Sequence, residues 1–577
     1  MADSKDPDVP HWTSLYSLEQ LESAAGIFQV YLDHPEFRSH ARHSEDVARL
    51  FRVASCALFP DAEARSTRRA RRRNTRRQED MEALSAAGIR QARKQRLVGS
   101  TTVDSQGKEV NATEVDGTDQ DIIGTTGRKR ERSPSPSKAE TKRRKLNRPR
   151  PCYVCRTQYF ELHGFYDLLC TECGDFNYAK RFTTVDMAGR VCVVTGGRVK
   201  IGYCIALRLL RMGASVIVTT RFPHDCVIRF AQETDYHHFS NRLFIISVDF
   251  RDITAVRHLA AHITQNFDRL DVLINNAAQT IRRPPKFYEH LLSIESCPLP
   301  QRLVDSAQIS RIFRSSAVPL ISNLPPNSNP QTSESLVPCL APPITEQFEE
   351  SPISTSAPLL SWGTPAIADS VALSQAHLIR SDHTDCTSEI FPESQLDRDD
   401  QQVDLRSKNS WVLEVGQVST VEYLECQVIN SHAPWVLISD LLPLMERTQL
   451  PPNRDMSCEG STCDKYIINV SAAEGQFNRQ KTSRHPHTNM AKAALNMLTR
   501  TSAAGLEKKH IYMCSVDTGW VTDERPAPQR EKFKWEVPLD EWDGAARVLD
   551  PVICGMSDGN GTQFSGVFLK NYKPTEW

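Results

Sequence analysis

No stretch of this chain reaches the ~18–20 consecutive apolar residues that a membrane helix needs. Residues 1–12 also lack the basic cluster and apolar run of a secretory signal. These absences lead us to expect a soluble, intracellular chain with no membrane partner. Net charge is lacking too: 70 Lys and Arg stand against 71 Asp and Glu. That balance averages opposites, since residues 61–150 sum to about +11 and residues 291–410 to about −8. Separate tails and inserts are expected rather than one uniform globule. Aromatic residues are almost missing from 61–150, which is rich in Arg, Lys, Ser, Thr and Gly, and this region reads as disordered. Disulfides are not expected either. Of the 16 cysteines, four form a tight group, and several of the others (Cys192, Cys204, Cys514) sit in apolar runs as small buried hydrophobes.

Residues 1–60 carry signals for a small helical segment, with Ser17 and Gln20 spaced as a capping box. Within 61–150, one basic cluster runs from Arg68 to Arg77. A second pairs Arg128-Lys129-Arg130 with Lys142-Arg143-Arg144-Lys145 across a spacer holding Ser133-Pro134 and Ser135-Pro136. The two-part layout resembles a bipartite import signal, which implies an import receptor as partner and the nucleus as location, with the cytoplasm otherwise. A solvated basic tail that adheres weakly to RNA is an equal reading. Residues 295–407 are Ser/Pro-rich, acidic and aperiodic, and read as a disordered insert.

On either side of that insert, over 185–294 and 408–577, short apolar runs alternate with helical periodicity. Val191-Cys192-Val193-Val194 is followed by a Gly-containing turn and a helix, and further strands fall at 215–219, 244–248, 272–275, 466–470 and 511–516. Such βαβ alternation predicts an α/β fold, a Rossmann-type doubly wound parallel sheet. A long helix is expected over 421–445, disturbed by Pro434 and Pro443, and another over 490–504.

Residues 151–182 form a small module that runs through 176–182 directly into the first strand and is expected to pack on the Rossmann-type domain. Cys152-x-x-Cys155 and Cys170-x-x-Cys173 are two knuckles, each aiming two thiolates at one point, which together complete a zinc-ribbon-like structural zinc site. Gly174 suits a tight turn after the last ligand, and Tyr159, Phe160, Phe165 and Tyr166 are candidates for its small core. Paired redox cysteines are the weaker reading. Nucleic-acid binding is the runner-up function, given the basic residues 142–150 beside it.

The turn Thr195-Gly196-Gly197-Arg198-Val199-Lys200-Ile201-Gly202 lies between the first strand and helix, where glycines let a pyrophosphate approach a helix N-terminus. It resembles the Thr-Gly-x-x-x-Gly-x-Gly signature of the short-chain dehydrogenase/reductase family. Further landmarks follow in order: Asp249, Asn275-Asn276-Ala277, Asn430, Asn469-Val470-Ser471, Lys492, and Thr518-Gly519-Trp520-Val521-Thr522. The resemblance implies that Asp249 contacts adenine, that Asn275 and Ala277 lie along the cofactor, and that Gly519, Val521 and Thr522 clasp nicotinamide. Lys492 would bind the nicotinamide ribose, and Asn430 would hold a water relay. Pairing of subunits through the helices bearing Asn430 and Lys492 is also implied. Lys200 replaces the family's middle glycine. Where an NAD site ends its second strand with an acid, this chain has Thr219-Thr220-Arg221, and with Arg198 it offers two guanidiniums to a 2′-phosphate. NADP is therefore the expected cofactor, with NAD as the alternative, and removal of the insert at 295–407 is expected to leave its affinity unchanged.

The family's proton donor is a Tyr one helical turn before the Lys, where the ammonium lowers the phenol's pKa. Thr488 stands there instead, and Ala472 stands at the family's catalytic Ser. Ser471 substitutes only if the strand register differs by one. Asn430, Ser471, Thr488 and Lys492 remain the candidate catalytic set, and His485 and His487 read either as alternative acids or as helix-entry histidines. Two functions fit: an NADP-dependent oxidoreductase for a carbonyl or alcohol, and a nuclear cofactor-binding regulator or scaffold without turnover.

Overall fold

The computed structural model describes residues 62–98, 144–299, 303, 308–311, 369–447, 464–533, 536–557 and 561–577. The expected helical segment at 1–60 and most of the import-like clusters lie outside them. Composition marked 61–150 as unstructured, but its first part is helical: α1 (Ala62–Ser85) and α2 (Gly88–Val98). Ala, Arg, Gln and Glu are strong helix formers, and that local preference outweighs the low hydrophobicity. A two-stranded sheet pairs β1 (Lys145–Pro151) with β2 (Gln158–Glu161).

The described chain divides into two compact units: a small one holding α1 with residues 144–150 and 159–162, and a large one holding the rest. In the small unit Asp80 accepts from the backbone N–H of Asn147 at 2.6 Å. In the large unit α2 leads into the cysteine module, where Ile89 N–H bonds the Phe165 carbonyl at 2.9 Å and Arg90 pairs with buried Asp167 at 2.6 Å.

After the module's helix α3 (Thr171–Lys180) the βα alternation begins. It runs β3 (Val191–Thr195), α4 (Lys200–Arg211), β4 (Ser215–Thr220), α5 (Pro223–Ala231) and β5 (Leu243–Ser247). Next come α6 (Ile253–Asn266), β6 (Val272–Asn275), α7 (Glu289–Ser296) and β7 (Gln308–Arg311). Beyond the insert follow α8 (Thr420–Gln427), α9 (Ala433–Met445), β8 (Lys465–Ser471), α10 (Pro486–Glu507) and β9 (Ile511–Asp517). The chain closes with α11 (Ala527–Phe533), α12 (Glu541–Met556), β10 (Phe568–Lys570) and β11 (Lys573–Thr575).

β3 to β11 make one nine-stranded sheet in the order β11-β10-β9-β8-β6-β3-β4-β5-β7, parallel except for the terminal β10–β11 hairpin. Its inner strands are buried on both faces, as apolar runs such as Val191–Thr195 require. α4 and α12 cover one face, and α6, α9 and α10 the other. Asp271 fixes the register at the sheet's base: its carboxylate accepts from Val191 N–H and from the side chains of Lys465 and Arg269, so three neighbouring strands share one anion. The chain crosses from one side of β3 to the other between β5 and β6, and this switch point opens the crevice at the strands' C-terminal ends.

Two expectations need correction. The insert expected to be disordered over 295–407 adds β7 to the sheet edge, and its last part, 369–407, is folded. Val371 and Phe391 join Phe222, Phe287, Tyr288 and Leu291 in a small apolar core, and Asp382 pairs with buried Arg282. Few hydrophobes suffice here because buried ion pairs hold the segment. The helix expected over 421–445 is interrupted by a π turn, Val428–His432, after which Pro434 starts α9, where a missing N–H costs nothing.

Candidate functional site

The glycine turn is fixed by close backbone approach. Gly196 has φ +68, and a Cβ there would stand 2.9 Å from Ala277 Cα. At Gly202 a Cβ would stand 2.2 Å from the Gly196 oxygen. Asn276 Nδ2 donates to the carbonyls of Thr195 (2.9 Å) and Gly196 (3.2 Å), and Asn276 and Ala277 N–H both donate to the Thr195 hydroxyl, so the end of β6 laces the turn shut. Lys200, where the family has glycine, keeps the conformation that explains the glycine: its φ is +54. A side chain in the left-handed region is strained, and such strain collects at functional sites.

A cleft of about 500 Å³ opens over this turn. Gly196, Arg198, Lys200, Ile201, Gly202, Arg221, Asp249, Ala277 and Thr522 line it, as expected. Thr195, Gly197, Asn275, Lys492, Gly519 and Val521 do not. Thr195 is spent on the lacing, and Gly197 faces Val218. Asn275 points sideways, donating to Asn469 Oδ1 at 2.8 Å, while Asn469 Nδ2 donates to the Thr499 hydroxyl at 2.9 Å. Gly519, at φ +77, lies against Leu539 and bonds Asp517 through its N–H, and Val521 is buried. Asn276, missed in the sequence reading, does line the cleft.

The two guanidiniums expected to share a 2′-phosphate differ in availability. Arg221 lies over the Tyr288 ring, 4.4 Å from its centroid, and donates to the Tyr288 hydroxyl at 2.8 Å. Arg198 is already neutralised: it is buried, and donates to Asp225 at 2.5 Å and to Gln401 at 2.9 Å. Burial resists ionisation of Asp225, yet Arg198 and Arg229 pull its carboxyl down to about 2. A buried guanidinium without a counter-charge would cost several kcal/mol, so Asp225 accompanies Arg198. Asp249 likewise pairs with Arg251, at 2.7 Å.

The folded part of the insert closes the same cleft. Asp397, Gln401, Gln402, Val403 and Asp404 line it. Arg229 holds the Asp399 and Asp400 carbonyls, Arg398 pairs with Glu541 at 2.9 Å, and Arg283 pairs with Asp404. Burial, then the nearby Glu541, pushes the Asp399 carboxyl up to about 6, while Lys200 acts the other way. Lys200 and Arg283 outweigh burial at Glu524, whose carboxyl is held below its usual range. The phosphate end of the cleft thus mixes cations with carboxylates supplied by the insert. The expected indifference of cofactor affinity to the insert's removal does not survive this placement.

The π turn carries Asn430. Its Nδ2 donates to the carbonyls of Cys426 and Gln279, both at 2.8 Å, and lies 3.4 Å from Cys426 Sγ. Lys492, buried on α10, donates to the Val470 carbonyl at 2.9 Å, and burial lowers its pKa to about 8. Cys426 completes the group. Burial pushes its thiol up to about 11, against the opposing pull of the Lys492 charge and hydrogen bonds from Thr488 and Asn430. The sequence reading missed Cys426; its signal was the i−4 spacing from Asn430 on one helical face. Ser471 is buried at the end of β8, and its hydroxyl has no partner among the described residues. Thr488 Oγ1 and His487 Nε2 are 3.3 Å apart, within hydrogen-bond reach. His485 is a helix-entry residue at φ +43, stacked on Trp411 at 4.1 Å, with Nδ1 2.9 Å from the Trp411 carbonyl.

All four knuckle cysteines converge, their Sγ atoms lying within 4.8 Å of one another. Cys155 and Cys170 Sγ are 3.7 Å apart. Tetrahedral zinc with Zn–S bonds of ~2.3 Å needs sulfur separations of about 3.8 Å, so the donor set fits. Gly174 is not a turn residue but a helical one, required because a Cβ would stand 2.6 Å from the His163 ring. Phe160 is exposed rather than core, while Tyr166 is fully buried. The module is joined to α12: Arg181 donates to Asp540 at 2.6 Å and to Asp543 at 2.9 Å, Arg547 donates to Asn177 at 2.6 Å, and Lys180 pairs with Asp550. Its first knuckle also reaches the loop after β9, where Trp520 N–H donates to the Tyr153 hydroxyl at 2.9 Å.

Sheet order, glycine turn and switch-point cleft define a Rossmann-type α/β domain carrying a four-cysteine module. The family model for short chain dehydrogenase matches residues 190–293. An uncharacterised protein of Acanthamoeba polyphaga mimivirus is 30% identical over 420 residues, 70% of this chain and 71% of its own. Retinol dehydrogenase 13 of Homo sapiens is 34% identical over 92 residues, covering 15% of this chain and 27% of its own. NADP-dependent 3-hydroxy acid dehydrogenase YdfG of Shigella flexneri is 26% identical over 128 residues, covering 22% and 47%. The chain therefore spans less than half the length of these two named relatives. Among solved structures, an NADPH bound carbonyl reductase from chicken fatty liver aligns with TM-score 0.38 at 16% identity, covering 69% of this chain and 97% of its own. The chain belongs to the short-chain dehydrogenase/reductase family.

Proposed function

We propose that this protein is an NADP-binding oxidoreductase that interconverts a carbonyl and an alcohol with an atypical active site. The observation that carries the reading is the buried group of Asn430, Cys426, Thr488 and Lys492, which meets the crevice wall through the hydrogen bond from Asn430 to the Gln279 carbonyl. A bound nicotinamide dinucleotide would supply the hydride. Arg221, backed by Tyr288 and unopposed by any acid at the end of β4, fits a ribose 2′-phosphate, and the turn from Gly196 to Gly202 with Lys200 fits the diphosphate. Lys492 would take the part of the family's ribose-binding lysine. Thr488 cannot replace a phenol as acid at neutral pH, because an aliphatic hydroxyl holds its proton too tightly. The four cysteines would hold a structural zinc that ties the module to α12.

Thr488 also favours a second reading, a cofactor-binding regulator or scaffold without turnover, and the basic clusters would direct either form to the nucleus. NADPH fluorescence titration followed by NADPH oxidation across a panel of aldehydes and ketones separates them. Binding with oxidation supports the enzyme, binding without oxidation supports the regulator, and no binding sinks both.

A further inference from the structure

A second cleft, of about 580 Å³, lies outside the dinucleotide crevice. Its size falls within the ~300–1,000 Å³ of small-molecule sites. One wall is the first cysteine knuckle, with Tyr153 and Arg156; the other is the stretch from β8 to α10, with Glu474, Arg479, Lys481 and Asn489. The catalytic group lies directly behind that second wall. Glu474 follows Ser471 by three residues and is among the charges acting on Lys492, and Asn489 follows Thr488. A Cβ on Gly475 would stand 2.6 Å from the backbone of Lys492.

The side chains of Arg156, Arg479, Lys481 and Lys570 outnumber the one lining carboxylate, Glu474, and these cations divide into spent and unspent. Lys481 donates to the carbonyls of Ala473 (2.8 Å) and Glu474 (2.7 Å), bracing its own loop. Lys570 is paired with Asp517. Neither Arg156 nor Arg479 makes an ion pair among the described residues, and the Asn489 Oδ1 is buried without a partner. Arg156 is held at φ +65, an orientation that a non-glycine residue adopts at some cost in strain, and its guanidinium lies 5.9 Å from the Tyr153 ring. Two unpaired guanidiniums in one concave site provide planar forks suited to a carboxylate or a phosphate.

We propose that this cleft is the substrate pocket and that it takes a small anionic molecule, gripped through its carboxylate or phosphate by Arg156 and Arg479. The inference rests on the oxidoreductase reading for the word substrate, while the anion site itself stands on the cleft alone. It also gives the cysteine module a part in recognition, because the knuckle supplies one of the two cations.

Calorimetric titration of the full-length zinc-loaded protein with succinate, with glycerol 3-phosphate and with neutral glycerol tests it. Saturable binding of one anion and none of glycerol is expected, and which anion binds tells carboxylate from phosphate. Arg479→Ala and Arg156→Ala should each weaken that binding at least tenfold, Arg479→Lys should weaken it less, and NADPH affinity should stay at the wild-type level in all three. Failure of both anions to saturate, or wild-type affinity in both alanine variants, overturns the site. Failure of NADPH to bind the wild-type protein overturns the oxidoreductase reading instead, and leaves the anion result to stand or fall by itself.

Discussion

Arg221 is the residue on which the proposed preference for NADP rests, since Arg198 is already committed to Asp225 and Gln401. Replacing it with Asp removes a charge-assisted contact of ~1.5–3 kcal/mol, so NADPH should bind roughly 10–100-fold more weakly while NADH changes little. Equal losses measured by fluorescence titration would contradict the assignment. The proton donor is the second such position. Thr488→Tyr restores a phenol beside Lys492, but Cys426 and His487 crowd that space, so Cys426→Ala is combined with it. If the rest of the site is competent, the double variant should oxidise NADPH with carbonyl substrates ~10²-fold or more faster than the wild type, the usual worth of a general acid. No gain with retained NADPH binding would favour the regulator. Lys492, Asn430 and Thr488 were legible from their spacing. Cys426 and the partnering of Arg198 were not, because both depend on which distant side chains the fold brings near.

At the scale of elements, the insert segment 369–407 was the least legible part. Its order comes from ion pairs of Asp400 with Arg229 and of Asp404 with Arg283 and from the hydrogen bond of Gln401 to Arg198, partners more than a hundred residues away, and no local periodicity announces them. Strands β3, β4 and β6 were legible because apolar runs buried on both faces are a strong local signal. Asp399 makes the insert's role measurable. Its folded pKa, about 6, stands above the ordinary value of 3.8, so its ionisation in the fold is costly. The sign follows: stability is greatest while the carboxyl is protonated and is lost as pH rises from about 4 through 6. Asp399→Asn should therefore raise the melting temperature at pH 8 and leave it unchanged at pH 4, and should tighten NADPH by removing a negative charge near Lys200. A lower melting temperature at pH 8 would show that the carboxylate is stabilising. The cysteine module was legible as a metal site and, from its direct run into the first strand, as packed on the main body. The ion pairs and hydrogen bond that fasten it were not legible, because their partners lie more than 350 residues away. With Arg181, Asn177 and Lys180 of this module bonded to α12, Cys173→Ser should abolish the single zinc found by metal analysis and lower the melting temperature of the whole large unit by several degrees. An unchanged melting curve would mean that the module is only attached.

At the scale of the molecule, α8 to α10 leave large apolar side chains in solvent: Leu424, Trp435, Met490 and Met497. Met490 and Met497 are two helical turns apart on α10 and share a face. We propose that this surface pairs subunits, and Trp435→Glu should convert the oligomer to a monomer in light scattering; a wild type that is already monomeric would remove the proposal. The sheet order has another consequence, for how the chain is made. β6 lies at the centre of the finished sheet, yet its partner β8 begins 190 residues after β6 ends (275 to 465). At ~5–20 residues per second a ribosome needs roughly 10–40 s to supply it. Throughout that interval the nascent half-sheet presents the apolar edge of β6, the kind of edge that pairs with other chains. The insert sets the length of that wait, so chaperone dependence during synthesis should shorten with it.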